Sequence, residues 1–302
     1  MSMNPPRFSH TPYADPRARP FAIGMVPLTP LGLFEVDAGY GDYLAEKQRL
    51  LAEKRDAVFR VEDGTENAQR EVLDLVLDGL VTNHGDLVSV DGDTVIAAAT
   101  GDSFRVSDFA AAPLELASRL VQEDLCLMRK GDEGWRLAAA CVCFPTSWSL
   151  AEKFSRPMAD IHQPVPGFAG RMNAIIERIF DNLLVDQPVE RFNWSFYSDD
   201  ELHHPEPHAE KFEDLDDEAL ARTLIIRVER QTLTRLAGSG DILFTIRIHR
   251  DRLGELTNHG QAAELAAGLK MQLMAMNEDQ LAYKGFIRSR DRIAAFLDTL
   301  GD

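Results

Sequence analysis

The chain has 302 residues, of which 45% are hydrophobic, so it is long enough to bury a large core as one domain or as two closely joined domains. Its formal net charge of −17 argues against nucleic-acid binding, which needs a basic surface that displaces counterions from phosphates. Its three cysteines, Cys126, Cys141 and Cys143, lie in apolar runs. They indicate neither a disulfide framework nor an iron–sulfur cluster.

The hydropathy of the chain and the composition of residues 1–20 indicate where in the cell the protein is expected. No apolar run reaches the roughly 18 residues that a membrane span needs, and residues 1–20 lack the apolar centre of a signal peptide. We therefore expect a cytoplasmic protein that does not contact a membrane. Residues 1–20 are rich in proline and polar groups, which predicts an extended or disordered arm. Residues 21–302 are expected to form a single domain.

The first part of the chain mixes helices with a hairpin. The dipeptide Asp91-Gly92 between two apolar runs is a strong signal for a tight hairpin turn. The predicted elements are a helix at 41–54, a strand at 57–62, a helix at 65–81, strands at 86–90 and 94–99, and a helix at 113–121.

The second part adds longer hairpins and ends in helices. Its predicted elements are strands at 124–130 and 135–144, a helix at 168–184, a strand at 191–198, an acidic loop at 199–217, strands at 223–236 and 241–250, and helices at 261–276, 278–286 and 289–300. Hairpins followed by helices, without regular βαβ alternation, predict the α+β class. We expect an antiparallel sheet with flanking helices and a helical C-terminal region from about residue 255 onward.

His162 lies in the run Ile-His-Gln-Pro-Val-Pro, where two prolines fix the backbone and remove two donors. A stiff turn of this kind suits a metal or haem ligand, because the imidazole needs a set direction and tautomer. The same run also suits a plain turn that packs Ile161 and Val165 into a core. The residues alone favour the plain turn, and a metal or haem ligand is the alternative.

Charged residues occur on both faces of the predicted strand at 223–236. Alternation places Arg227 and Glu229 on one face and Arg230 on the other. Because buried charges are costly without partners, each needs a compensating group. On the residues alone an Arg–Glu ladder within the sheet is the preferred interpretation, and the carboxylates of a bound ligand, held by bidentate guanidinium contacts, are the alternative.

Four motifs, in their order and spacing, resemble the haem-dependent oxidative N-demethylase family and its haem-carrying alpha subunit, of the dimethylamine monooxygenase type. They are Cys143-Phe-Pro-Thr-Ser-Trp148, Ile161-His-Gln-Pro-Val-Pro166, Arg191-Phe-Asn-Trp-Ser-Phe196 and Arg227-Val-Glu-Arg-Gln-Thr-Leu-Thr-Arg-Leu236. The resemblance extends from about residue 20 to about residue 285. It implies a PAS-like sheet that binds haem b.

The resemblance also implies roles for individual residues. His162 becomes the axial ligand of the haem iron. The further cofactor-binding candidates are Arg227, Arg230, Arg235, Asn193 and Trp194, with the arginines near the haem propionates. Asn193 and Trp194 are adjacent in a strand and face opposite sides, so Trp194 either packs on the macrocycle or fills a core.

Glu229 is the candidate catalytic carboxylate, since secondary and tertiary amines are cations near neutral pH and a pocket for one benefits from a buried negative charge. The resemblance implies that a small methylated amine such as dimethylamine is oxidised with dioxygen to formaldehyde and the shorter amine. The chain has neither a nicotinamide fingerprint nor cluster cysteines. Electrons must therefore come from elsewhere, and the resemblance implies that NADPH, FMN and an iron–sulfur centre on reductase or ferredoxin-type partner subunits supply them. A PAS-like haem or small-ligand sensor without turnover is the alternative.

Overall fold

The computed structural model describes residues 8–168, 172–207, 212 and 215–300. Within these residues the largest element is an antiparallel sheet of seven strands. In spatial order the strands are β1 (Val26–Pro27), β8 (Val189–Tyr197), β9 (Ile225–Arg235), β10 (Ile242–Arg252), β6 (Asp124–Gly131), β7 (Gly134–Cys141) and β2 (Phe59–Val61). A small sheet contains β3 (Val88–Asp91), β4 (Thr94–Ala97) and β5 (Asp102–Arg105).

Helices surround the large sheet and form most of the C-terminal region. They are α1 (Tyr40–Glu53), α2 (Arg55–Val58), α3 (Glu66–Asn83), α4 (Pro113–Ser118), α5 (Leu150–Lys153), α6 (Met158–Ile161), α7 (Asn173–Asn182), α8 (Asp217–Thr223), α9 (Ala262–Met274), α10 (Glu278–Lys284) and α11 (Arg290–Thr299). This arrangement confirms the predicted α+β class, its antiparallel sheet and its helical C-terminal region. The likeness of the sheet to PAS domains stays a prediction.

The elements differ from the sequence prediction in a few places. The strand predicted at 57–62 is shorter, because its first residues belong to the helical turn α2. Helix α8 lies at the end of the predicted acidic loop, where the Asp216 carboxylate accepts a hydrogen bond from the Ala219 backbone N–H and caps the helix. The helix predicted at 168–184 is observed as α7, and residues 169–171 lie outside the described residues.

Two apolar layers enclose the β8–β9 part of the sheet. On one face, Trp194, Phe196 and Val228 pack in a core with the C-terminal helices. On the other face, Leu233 belongs to a core that includes Phe180 of α7. Successive residues of each strand thus contribute to different cores, as the alternation of a strand requires.

The N-terminal segment packs against the C-terminal helices. Phe8 and Tyr13 are buried in the same core as Trp194, whereas the sequence predicted an extended or disordered arm at 1–20. Residues 1–7 lie outside the described residues, and the division into an arm and one domain stays a prediction. The close approach explains Gly268 in the middle of α9, since a Cβ there would lie 2.4 Å from the carbonyl oxygen of Tyr13.

Among the described helices, none combines the length and the apolar character needed to cross a membrane.

Candidate functional site

A cavity lies between one face of the large sheet and helices α6 and α7. Its volume, taken as the space open to the centre of a water-sized sphere, is about 210 Å³, below the roughly 300–1000 Å³ of a typical small-ligand pocket. Much of its wall is apolar, including Ile161, Val165, Phe168, Ile176, Phe180, Leu233 and Phe244. The cavity therefore favours a ligand with a large apolar surface.

His162 follows α6 and lines this cavity. Its Nδ1 lies 3.0 Å from the carbonyl oxygen of Met158, which can only accept, so Nδ1 carries the proton and Nε2 has a free lone pair. The ring stacks on Phe168, with centroids 4.3 Å apart and planes 13° from parallel. Burial, together with the nearby charges of Lys153 and Arg191, lowers the pKa of His162 to about 4. The imidazole is thus neutral, oriented and able to bind a metal.

Glu229 of β9 also faces the cavity, next to two amide side chains. The Nδ2 of Asn193 donates to Oε2 of Glu229 at 3.2 Å, and the Nε2 of Gln231 donates to the same oxygen at 2.7 Å. Asn193 is opposite Glu229 in the β8–β9 register, which brings the amide to the carboxylate. The two amides hold the carboxylate in a set orientation.

Three cations surround this carboxylate: Arg191 of β8, Lys153 of α5 and Lys284 of α10. Burial lowers the pKa of both lysines to about 8, while the charge of Glu229 opposes the lowering. Burial also lowers the pKa of Arg191. Lys284 is held in place by its bonds to the carbonyl oxygen of Trp194 and to Oδ1 of Asn193. With more positive than negative side chains in its wall, the cavity favours an anionic ligand.

Two polar atoms in the cavity wall indicate where such a ligand would be held. Nε of Arg191 and Oγ of Ser195 are buried, and neither has a hydrogen-bond partner among the described residues. Buried donors without partners are rare and costly, so a missing acceptor is the physical explanation. Both residues lie on the same face of β8, and one carboxylate-bearing ligand could satisfy them.

Arg227, although on the same face of β9 as Glu229, does not line the cavity. Its guanidinium is fully buried and donates to the carbonyl oxygens of Phe144, Pro145 and Leu202 at 2.8–3.2 Å. It also donates to Oγ1 of Thr146 at 3.1 Å. In this structure Arg227 fastens the loop that follows β7, and its predicted contact with a propionate stays untested.

The other predicted cofactor residues also lie outside the cavity wall. Arg230, on the opposite face of β9, is paired with Glu190 at 2.8 Å. Arg235 donates to carbonyl oxygens at the C-terminal end of α7. Trp194 packs with the C-terminal helices, and its Nε1 donates to Oε1 of Gln272 at 2.8 Å. Of the predicted residues, the structure thus brings together His162, Asn193 and Glu229.

The sequence interpretation did not select Arg191, Lys153 or Lys284. A signal existed for Arg191, because it alternates with Asn193 in the same strand and therefore shares its face. Lys284 comes from a helix about ninety positions later in the chain, and no local pattern links it to β8.

The fold and the site define an α+β protein with a largely apolar cavity whose wall carries a neutral histidine, a carboxylate and three basic side chains. The family model described as haem-dependent oxidative N-demethylase, alpha subunit-like, matches residues 24–294. This match covers most of the chain, and the chain belongs to that family. The family name indicates haem dependence and oxidative N-demethylation, and the term alpha subunit-like indicates an enzyme with further subunits.

Proposed function

We propose that this protein binds haem b and catalyses the oxidative N-demethylation of a small methylated amine with dioxygen in the cytoplasm. The observation that carries the proposal is the neutral imidazole of His162 in the cavity wall, with Nδ1 bonded to a carbonyl oxygen and Nε2 left for a metal. This is the arrangement by which proteins orient a histidine ligand.

The residues of the cavity suit haem in three respects. Nε2 of His162 would bind the iron, and the apolar wall would cover the macrocycle. Arg191, Lys153 and Lys284 would hold the two propionates, which would also supply the acceptors that Arg191 and Ser195 lack. When bound, haem supplies a redox-active iron for the reduction of dioxygen.

Glu229 would bind the ammonium group of the substrate. Both neighbouring amides donate to its Oε2, so Oε1 is available for the amine among the described residues. The charge of Glu229 already acts on Lys153, Lys284 and Arg191, and binding of the propionates to these cations would leave the carboxylate for the ammonium group. Glu229 therefore selects the amine and orients its N-methyl group.

The overall reaction consumes the methylated amine, dioxygen, two electrons and two protons. It yields the shorter amine, formaldehyde and water. The electrons would come from NADPH through FMN and an iron–sulfur centre on partner subunits, since the family description implies further subunits and three cysteines are too few for a four-thiolate cluster on this chain.

The test is reconstitution of the purified chain with haem, followed by assays of oxygen uptake and formaldehyde release with dimethylamine and a reduced ferredoxin. Amine-dependent uptake with matching formaldehyde would support the enzyme. Haem binding without amine-dependent uptake, for dimethylamine and for larger methylated amines, would instead indicate a sensor. Failure to bind haem would remove the proposal altogether.

Glu229→Gln is expected to weaken amine binding, because it removes the negative charge but keeps the size and the amide contacts. A charged hydrogen bond contributes about 1.5–3 kcal/mol, so KM for the amine should rise about tenfold to a hundredfold. The measurement is the KM of oxygen uptake. Glu152→Gln, which makes the same charge change at an exposed position outside the cavity, is the control. Equal KM values for the two variants would contradict the role of Glu229.

Haem affinity is expected to fall as the pH rises through about 8, the pKa to which burial lowers Lys153 and Lys284. A propionate raises the pKa of a lysine beside it. Below pH 8 the lysines are charged before and after binding, whereas above it they must take up protons to bind. Soret titrations at several pH values measure the effect. Lys284→Met should reduce the pH dependence and the surface variant Lys270→Met should not, so an unchanged profile for Lys284→Met would contradict the assignment.

A further inference from the structure

A second group of potential metal ligands lies outside the cavity. It consists of His10 of the N-terminal segment, Glu35, and His249 of β10. Each residue offers one possible ligand atom, and these three atoms lie within 4.8 Å of one another. The Nε2 of His10 is 3.0 Å from Oε1 and 3.2 Å from Oε2 of Glu35. The Nε2 of His249 is 3.1 Å from Oε2. Two imidazole nitrogens thus face one carboxylate.

These separations are close to those of a tetrahedral metal site. With zinc bonds of about 2.0–2.2 Å to nitrogen and oxygen, neighbouring ligand atoms lie roughly 3.3–3.5 Å apart. The measured distances of 3.0–3.2 Å are shorter by a few tenths of an ångström, so small side-chain rotations would admit an ion. Without a metal, each imidazole donates an N–H to Glu35 instead, and the ion would replace these protons.

The surroundings allow an ion to enter and to keep a water ligand. The side chains of His10 and Glu35 are 25% and 27% exposed, and that of His249 is 10% exposed. Two cations act on the cluster: Arg247, whose charge reaches His249, and Arg230, whose Nε lies 3.4 Å from Oε1 of Glu35 but 2.8 Å from Oε2 of Glu190. Glu190 is therefore the closer partner of Arg230 and offsets its repulsion of a metal ion.

We propose that His10, Glu35 and His249 bind a divalent transition-metal ion of the zinc class, with water as a fourth ligand. Two imidazoles and one carboxylate are a donor set that zinc prefers. None of these residues lines the cavity that contains His162, so the site is separate from the proposed haem site. The ion would join three segments that are distant in sequence and fasten the N-terminal segment to the sheet.

The test uses the full-length chain with haem as purified, dialysed against EDTA, which strips accessible divalent ions but leaves haem in place. Isothermal titration with zinc chloride is expected to show one tight equivalent and a raised melting temperature. Cobalt(II) should give the intense visible bands of a four-coordinate ion. The Soret band should be unchanged by zinc, which separates this result from the test of the haem site.

Variants identify the ligands. His10→Ala and Glu35→Gln should each weaken zinc binding by more than ~100-fold, since even loss of an outer-shell partner costs about 10–100-fold. His84→Ala removes a histidine that follows α3 and is not part of this cluster, so this variant should bind zinc as the unaltered chain does. Circular dichroism without zinc checks that the variants are folded. Equal affinity of the ligand variants and the unaltered chain, or no tight equivalent at all, would overturn the proposal.

Discussion

Replacement of His162 by alanine is expected to abolish the Soret spectrum of a histidine-ligated haem and to lower haem affinity sharply. The substitution removes the cavity imidazole whose Nδ1 is bonded to the Met158 carbonyl oxygen and whose Nε2 is left for the iron. Apolar contacts and the cavity cations would remain, so weak binding with an altered spectrum is the most that should persist. The measurement is haem titration followed by absorption for both proteins.

Two controls make this result specific. Free imidazole should restore part of the spectrum of His162→Ala by occupying the space of the missing ring. His259→Ala, at a histidine outside the cavity wall, should leave the spectrum unchanged. Because burial lowers the pKa of His162 to about 4, the unaltered protein should keep its histidine ligation well below the ordinary histidine value near 6.5. An unchanged Soret band in His162→Ala would eliminate His162 as the ligand.

Arg227→Met is expected to lower the free energy of unfolding by about 1–3 kcal/mol, the cost of leaving buried hydrogen-bonding groups without partners. The guanidinium is 1% exposed and donates to the carbonyl oxygens of Phe144, Pro145 and Leu202. Methionine fills similar space but leaves those oxygens buried without donors. Urea denaturation measures the loss.

The control is Arg222→Met, which removes an exposed arginine paired only across one helical turn with Glu218 and should change stability little. Haem affinity separates the two roles considered for Arg227. If Arg227 only fastens the loop after β7, Arg227→Met should bind haem normally once folded. Lost haem affinity at unchanged stability would favour the contact with a propionate instead.

The fold was largely predictable because its signals are local. The turn Asp91-Gly92 and the long alternation of β9 specify hairpins without any distant information. The exceptions depend on context. Strand β5 pairs only with β4 and carries few apolar residues, and α8 depends on a cap by Asp216 within an acidic stretch. Neither gives a strong periodic pattern.

The candidate site was less predictable, because residues on the same face of a strand can contact different neighbours, and only some of them reach the cavity. Alternation gave Arg227 and Glu229 the same face, yet only Glu229 reaches the cavity, since Arg227 meets the loop after β7. The pairing of Glu35 with His10 and His249 joins positions 25 and 214 residues apart. Such contacts follow from tertiary structure alone.

The two margins of the large sheet bear on how further subunits could attach. Its outermost strands, β1 and β2, have two and three residues. Such short edge strands offer few backbone N–H and C=O groups to an incoming strand, and short edges are one way in which natural sheets avoid pairing with another chain. Along β8, Lys284 donates to the carbonyl oxygen of Trp194 and so occupies a backbone acceptor. We therefore expect associated subunits to recognise side chains on the helical surfaces and not to extend the sheet.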